Sequence, residues 1–246
     1  SLGMTTTLHS YEVQMHHVDA EPSVQVCTPG NIIPLAQPCT PADLGSVAYT
    51  FEHRIDYVIQ GFSGRSFIQF GDNAPVVDLG NGSEDSLWQE ANGKIGYVRG
   101  GGSITGNTAL MSKAAENDLV SLIRVNKDYN CGKVETTDCV PIFKGTSIEA
   151  ITEANGGSVP SELSFIAMSK DAGEILEAAV INGSGTISLD IDVTNDGTRT
   201  IYVPCGEFKG KSSEVVIAGA HHDTVYNGPG AIDDTSGSAS IMEMSR

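Results

Sequence analysis

The residues best suited to chemistry lie near the end of the chain, in the segment 215–239, VVIAGAHHDTVYNGPGAIDDTSGSA. His221 and Asp223 are two positions apart, so an extended backbone places both side chains on one face. A histidine that binds a metal through one ring nitrogen commonly has a carboxylate on the other, which fixes its tautomer. Asp233 follows His221 by twelve residues, and the intervening NGPG can turn the chain back. These residues are therefore candidates for part of a metal site.

Each part of this pattern has an ordinary explanation when it is taken alone. A histidine and an aspartate at the end of a strand are usually surface residues, and a DD pair in a glycine-rich loop is usually a turn. The ordered combination is more specific. An apolar run at 214–220 predicts a strand buried on both faces, and a helix is predicted to begin with Thr235 or Ser236 as its cap. Ligands of α/β sheets bind beyond the carboxyl ends of the strands, where His221 falls.

The stretch GAHHDTV…GPGAIDDTSGSASIMEMSR resembles the first metal-binding segment of the zinc aminopeptidase and glutamate carboxypeptidase-like metallopeptidases. Those enzymes are two-zinc exopeptidases with an α/β core. The resemblance implies that His221 binds one of two zinc ions and that Asp233 bridges the two. It also implies that Asp223 orients His221 without binding the metal itself. It also implies a cis peptide bond between Asp233 and Asp234.

The general base and the remaining zinc ligands are not expected among these 246 residues. In the resembling family a Glu-Glu pair, an Asp and a final His come later in the chain. No Glu-Glu pair occurs here, and Arg246 falls inside the helix predicted after the loop. We therefore expect the front portion of an enzyme, inactive alone. Its complete form would hold two zinc ions and remove N-terminal residues from peptides by two-metal water activation.

The middle of the chain predicts a second, β-rich α+β unit. NGKIGYVRGGGS, NDLVSLIRVN and SVPSELSFIAMSKDAGEILEAA resemble a protease-associated domain, which some members of the family carry before the first zinc segment. The expected organisation is an N-terminal segment 1–45 packing on the peptidase core, a protease-associated-like domain 46–194, and the truncated start of the α/β zinc-peptidase domain 195–246. TISLDIDV at 186–193 predicts a strand with alternating faces, and Ser169 is the expected N-cap of a helix whose apolar stripe is formed by Ile175, Leu176, Ala179 and Val180.

Two turns and one further motif are also predicted. NDG at 195–197 predicts a turn, and Cys205 with Gly206 indicates a hairpin turn. A second His-His-x-Asp sequence at 16–19 is interpreted as structural or solvent-facing.

Composition and cysteine spacing restrict partners and compartment. The chain has 31 acidic and 14 basic residues, a net charge of −17, which disfavours nucleic acid and anionic membranes as partners. No apolar run is long enough to span a bilayer, and no signal peptide is visible. The local pairs Cys27/Cys39 and Cys131/Cys139 predict two disulfides, with free thiols as the alternative. A secreted or extracytoplasmic protein is expected.

Two other functions fit parts of the sequence. One is a non-catalytic receptor of the same architecture; its relatives have lost zinc ligands, whereas His221, Asp223 and Asp233 are all present. The other is a stand-alone interaction module built on the protease-associated domain, which an unpaired apolar strand at 214–220 would make prone to aggregation. Zinc content of the whole protein distinguishes the enzyme from both.

Overall fold

The computed structural model describes residues 4–28, 47–72, 74–100, 106–126, 146–181, 183–224 and 229–245. The chain forms two compact units. The central unit is His16–Asn195, and the terminal unit combines Ser1–Met15 with Asp196–Arg246.

The secondary structure of the described residues alternates short strands with short helices. The strands are β1 (Thr5–Val18), β2 (Ser23–Thr28), β3 (Val47–Phe51), β4 (Tyr57–Ile59), β5 (Ser66–Ile68), β6 (Val76–Asp78), β7 (Ile95–Arg99), β8 (Ser121–Val125), β9 (Ser164–Met168), β10 (Thr186–Ile191) and β11 (Val193–Glu207). The helices are α1 (Asp85–Glu90), α2 (Asn107–Glu116), α3 (Ile148–Ala154), α4 (Lys170–Leu176) and α5 (Thr235–Met244), and a π-helical turn (Glu177–Ile181) follows α4.

A five-stranded sheet in the order β4-β9-β8-β7-β6 forms the centre of the central unit. Strands β6 to β9 are parallel, with Ile95 opposite Ser121 and Ser121 opposite Ser164, and β4 adds an antiparallel edge. Helices α1, α2 and α3 lie in the connections between successive parallel strands, as parallel pairing requires. This mixture of parallel strands and crossover helices is α/β.

Both faces of this sheet are buried, which explains its continuous apolar runs. One face packs against the helices in a core formed by Leu79, Trp88, Val98, Leu110, Met111, Leu122, Ile151 and Phe165. The other face packs against a second sheet and α4 in a core that includes Val24, Val26, Tyr57, Ile95, Tyr97, Ile123, Ile166, Met168, Leu176, Ile187, Leu189 and Ile191.

The second sheet has four strands in the order β3-β2-β10-β5. Its strand β10 confirms the alternation predicted from TISLDIDV. Ile187, Leu189 and Ile191 are buried, whereas Asp190 is exposed. Period-two alternation is what a strand with one solvated face requires.

The central unit begins earlier in the chain than the predicted domain 46–194, because it includes strand β2. This strand pairs with both β10 and β3, so residues that we assigned to the N-terminal segment 1–45 lie in the same unit as the predicted domain 46–194. The pattern SVQVC was not interpreted as a strand, although Val24 and Val26 alternate with polar neighbours. The remainder of that segment, 29–46, lies outside the described residues.

Helix α4 begins where the sequence predicts. The hydroxyl of Ser169 accepts a hydrogen bond from the backbone N–H of Ala172, so Ser169 is its N-cap. In the predicted apolar stripe, Leu176 and Ala179 are buried, whereas Ile175 is partly exposed. The π-helical turn begins at Glu177, so this stripe is not continuously α-helical.

A cluster of charged side chains lies beside β7. Arg99 donates to both carboxylate oxygens of Asp78, at 2.7 and 2.8 Å, and to both of Glu177, at 2.8 and 2.9 Å. The cluster thereby joins β6, β7 and the π-helical turn in one network of charge-assisted hydrogen bonds.

The predicted turn at 195–197 and the predicted strand at 214–220 are both wrong. NDG at 195–197 is not a turn but lies within β11, because β11 pairs with β1 along this stretch. Just beyond the two paired strands, the backbone N–H of Asp19 donates to the carbonyl of Asp192 at 2.9 Å. Residues 214–220 do not form the predicted buried strand. They have no strand partner among the described residues, and Val215, Val216 and Ile217 are 80–95% exposed.

The cysteines are described only in part. Cys27 is disulfide-bonded, as the local pairing predicts. Cys39, Cys131 and Cys139 lie outside the described residues, so the pairing itself stays a prediction. Cys205 is a free, exposed cysteine within β11, not in the hairpin turn that its Cys-Gly sequence had indicated. Within the described ranges, none of the helices combines the length and apolar character needed to cross a membrane.

Candidate metal centre

The predicted site residues lie in the terminal unit, around the start of α5. The N-cap of this helix is Asp234, not the predicted Thr235 or Ser236. Its Oδ1 accepts a hydrogen bond from the backbone N–H of Gly237 at 3.1 Å. The hydroxyl of Ser236 instead donates to the carbonyl of Ile232. A carboxylate is a strong N-cap and complements the positive end of the helix dipole, which explains why the helix begins one residue earlier than expected.

The structure brings His221 and Asp233 together. The Nε2 atom of His221 lies 3.0 Å from Oδ1 of Asp233. The other ring nitrogen, Nδ1, lies 2.9 Å from the carbonyl oxygen of Asp223 and 3.5 Å from its carboxylate Oδ1. We had expected the carboxylate of Asp223 to orient the ring; the shorter contact comes from its backbone.

These contacts define the charge that the site favours. A carbonyl oxygen only accepts hydrogen bonds, so Nδ1 must carry a proton and donate it to Asp223. In a neutral imidazole the lone pair of Nε2 would then point at the Asp233 carboxylate, which is also an acceptor. A proton or a metal cation between the two atoms removes this conflict. The pKa of His221 is accordingly raised, chiefly by the hydrogen bond with the Asp223 backbone and further by the charges of Asp223 and Asp233.

The backbone of His221 is held by the first turn of α5. Its N–H donates to Oδ2 of Asp234 at 3.3 Å, and its carbonyl accepts a hydrogen bond from the hydroxyl of Ser238 at 3.1 Å. The peptide bond between Asp233 and Asp234 is cis, which confirms what the resemblance implied.

Sequence reasoning missed the parts played by Asp234 and Ser238. The signal for Asp234 is local, because Asp directly before a helical segment is a preferred N-cap residue. Ser238 has no comparable signal, because its partner is seventeen residues away in the chain.

The candidate donors are accessible from solvent. The side chains of Asp223 and Asp233 are each 89% exposed, and that of His221 is 51% exposed. Within the described ranges, no set of three or more His, Cys, Asp or Glu side chains converges as a metal-binding group. The described residues thus supply His221 and Asp233 as a pair of converging donors.

The second His-His-x-Asp sequence, at 16–19, has a different geometry. His16 lies in the central unit with Nδ1 2.8 Å from Oδ1 of Asn195, and His17 lies with Nδ1 2.8 Å from Oδ1 of Asp19. Burial is the main cause that lowers the pKa of His16. Neighbouring positions of a strand point to opposite faces, so the two rings do not converge.

Comparison with known proteins identifies the part of the chain that holds this site. Residues 205–246 match the peptidase family M28. A 58-residue stretch is 41% identical to an aminopeptidase of Pseudomonas aeruginosa strain UCBPP-PA14, covering 24% of this chain and 11% of that protein. The aminopeptidase of strain PAO1 matches with the same figures.

We call residues 205–246 the M28 segment, because this stretch matches the peptidase family M28. This M28 segment contains His221, Asp223 and Asp233, together with all of α5.

Three solved structures share the fold. A peptidase M28 precursor from Shewanella amazonensis SB2B superposes with a TM-score of 0.61 at 17% identity, covering 98% of this chain and 50% of that one. A zinc aminopeptidase from Bacillus subtilis gives 0.55 at 19% identity, covering 100% and 47%. An aminopeptidase from Aneurinibacillus sp. strain AM-1 gives 0.53 at 18%, covering 99% and 49%. The chain thus spans about half the length of these structures.

Proposed function

We propose that these residues are part of a zinc-dependent aminopeptidase that removes N-terminal residues from peptides. The observation that carries this proposal is the convergence of His221 Nε2 and Asp233 Oδ1 at 3.0 Å inside the M28 segment. The aminopeptidases that match a 58-residue stretch of this chain, and the zinc aminopeptidase that shares the fold, support the reaction and the metal.

The two donors suit zinc in type and spacing. Zinc binds histidine nitrogen and carboxylate oxygen at about 2.0–2.2 Å, and two donors of one tetrahedral ion are therefore roughly 3.3 Å apart. The observed 3.0 Å separation needs little adjustment. The proton on Nδ1 faces Asp223, so Nε2 is the nitrogen available to the metal.

Each residue has a distinct part in the proposed site. His221 would hold one zinc ion through Nε2, and Asp233 has two carboxylate oxygens, so it would bridge two ions. Asp223 holds the ring of His221 in the required tautomer. The bound metal would polarise the scissile carbonyl and activate water for attack. The other ligands and the general base are proposed to come from parts of the protein beyond residues 1–246.

Two further parts of the proposal concern the whole protein. We infer that the central unit corresponds to a protease-associated-type domain placed before the zinc segment; its α/β sheet covered by a smaller sheet supports this. We also infer an extracytoplasmic location, supported by the disulfide at Cys27. Peptides are the proposed substrates. A zinc-free receptor is disfavoured because a receptor does not require the paired donors at His221 and Asp233.

The test uses the complete protein and a matched pair of variants. Zinc content and hydrolysis of aminoacyl-4-nitroanilides are measured for the wild type, His221→Ala and His222→Ala. We expect the wild type to bind zinc and be active, His221→Ala to lose both, and His222→Ala to keep both. A wild-type protein without zinc or activity, or equal behaviour of the two histidine variants, would overturn the proposal.

A further inference from the structure

We propose that Asp234 and Ser238 are positioning residues that hold the backbone of His221, so that its imidazole faces Asp233. The inference deepens the proposed function and rests on it, because the purpose of the positioning is metal binding. Neither residue is offered as a metal ligand or as a group that touches the substrate.

Two side chains form hydrogen bonds with the backbone of His221, one with its N–H and one with its carbonyl. Asp234 accepts the N–H of His221 at 3.3 Å, and Ser238 donates to its carbonyl at 3.1 Å. The two side chains are four positions apart at the start of α5, so one helical turn presents them to the same place. Both polar groups of the His221 backbone are therefore satisfied by this helix.

Within the described residues, the segment that carries His221 has neither a strand partner nor a buried apolar face. Among the described residues, 214–224 forms neither strand nor helix, and no sheet ladder holds it. Its apolar residues Val215, Val216 and Ile217 are 80–95% exposed, so packing does not fix it either. The side-chain hydrogen bonds from α5 therefore position the backbone of His221, beside the contacts that its ring makes with Asp223 and Asp233.

The absence of a side chain at Gly237 leaves room for the carboxylate of Asp234. A Cβ atom added at Gly237 would lie 2.7 Å from Cγ of Asp234, closer than real Cβ contacts allow. The carboxylate can bond both to the helix start and to His221 because residue 237 has no side chain. Alanine at this position would push the carboxylate away from His221 while favouring the helix itself.

Groups that orient metal ligands are expected to affect metal affinity more than stability. Loss of a partner that orients a ligand lowers metal affinity by about 10–100-fold. A single exposed hydrogen bond contributes only about 0.5–1.5 kcal/mol to folding. Zinc affinity is therefore the sensitive readout, and thermal stability is the insensitive one.

The chain offers a matched control in the same helix. Ser240 donates its hydroxyl to the carbonyl of Ser236, within α5 and without contact to His221. Ser238→Ala and Ser240→Ala thus remove the same atom from the same helix, and only the first removes the hold on His221.

The experiment measures zinc dissociation constants of the complete protein by competition with a chelator, and the melting temperature of the metal-free protein. We expect Ser238→Ala to weaken zinc binding by about 10-fold and Ser240→Ala by less than twofold. The two melting temperatures should change alike. Equal zinc affinities in the two serine variants would overturn the proposal for Ser238.

A second measurement needs no metal, so it separates this inference from the proposed function. Amide hydrogen exchange at His221 is compared in the metal-free wild type and Gly237→Ala. We expect faster exchange in the variant, because its displaced carboxylate no longer accepts the His221 N–H. Unchanged exchange overturns the role of Asp234 even if zinc binds. A wild type that binds no zinc would overturn the proposed function. The exchange result would still show whether Asp234 accepts the N–H of His221.

Discussion

Two similar apolar runs, one in each unit of this chain, differ in how far their side chains are buried. In the central unit, IGYV in β7 is fully buried between two parallel neighbours. In the terminal unit, EVVIAGA has the same apolar character, yet Val216 is 95% exposed and its backbone is not part of a sheet. Within the described residues, IGYV has strand partners and EVVIAGA has none, so apolar character alone does not determine burial.

The largest effect is expected from the helix-side core of the central unit. Trp88→Ala should lower the free energy of unfolding by about 3–5 kcal/mol, because it removes a fully buried ring and leaves a cavity. Chemical unfolding followed by circular dichroism measures this. Trp88→Phe is the control, since it keeps most of the packing and removes only the indole hydrogen bond to Gly82. Similar losses in both variants would mean that the hydrogen bond, not the packing, is decisive.

A paired valine substitution tests the comparison directly. Val98→Ala should cost about 1.5–3 kcal/mol, because Val98 is buried against the helices. Val216→Ala, at an exposed position, should change the free energy of unfolding of this chain by no more than about 0.5 kcal/mol. Both are measured by urea unfolding, with fluorescence of the single tryptophan as the probe for Val98→Ala and circular dichroism for both. A comparable loss in Val216→Ala would show that residues 214–220 are packed after all.

The acid stability of the central unit should depend on Asp78. Burial raises the pKa of this carboxyl, but the hydrogen bonds from Arg99 and from the Gly80 amide outweigh it, so the pKa is lowered overall. A carboxyl with a lowered pKa stabilises the fold above its unfolded value of about 3.9, and this stabilisation is lost as the pH falls through the folded value. The urea concentration at the unfolding midpoint should therefore decrease once the pH is lowered below about 4.

Asp78→Asn is the control for this pH effect. It should give a shallower decline of the urea midpoint in acid than the wild type, and a lower midpoint at neutral pH. Parallel curves for the two proteins would mean that the acid dependence comes from other groups.

The smallest effect is expected at a surface hydroxyl of α5. Ser240→Ala removes a hydrogen bond within the helix but introduces a better helix former, so the melting temperature should change by only about 1–2 °C in either direction. Differential scanning calorimetry measures this. A large loss would show that the terminal unit depends on its helix more strongly than its exposed surfaces indicate.

Local patterns predicted much of the fold correctly. The alternation in TISLDIDV predicts the buried face of β10, and Ser169 predicts the start of α4, because both depend on a few neighbouring residues. Long-range pairing was not predictable in this way. NDG at 195–197 is a favourable turn sequence, yet it is extended because β11 pairs with β1. The two strands are 175 or more positions apart in the sequence.

The sequence predicted the donor residues of the candidate site, but not the contacts that position His221. The pattern H-x-D and the following A-x-D-D indicated His221, Asp223 and Asp233, because their spacing reflects one strand end and one loop. The contact of Ser238 with the His221 carbonyl depends on how α5 returns to the loop, which no local pattern reports. The backbone contact from Asp223 was also missed, because backbone partners leave no signature in side-chain identity.

The most direct test of the central claim is an anomalous-scattering map of crystals of the complete protein, recorded on both sides of the zinc absorption edge. The account predicts two zinc peaks about 3.5–4 Å apart, one bound by Nε2 of His221 and both contacted by the carboxylate of Asp233. Zinc peaks elsewhere, with neither His221 nor Asp233 among the ligands, would contradict it.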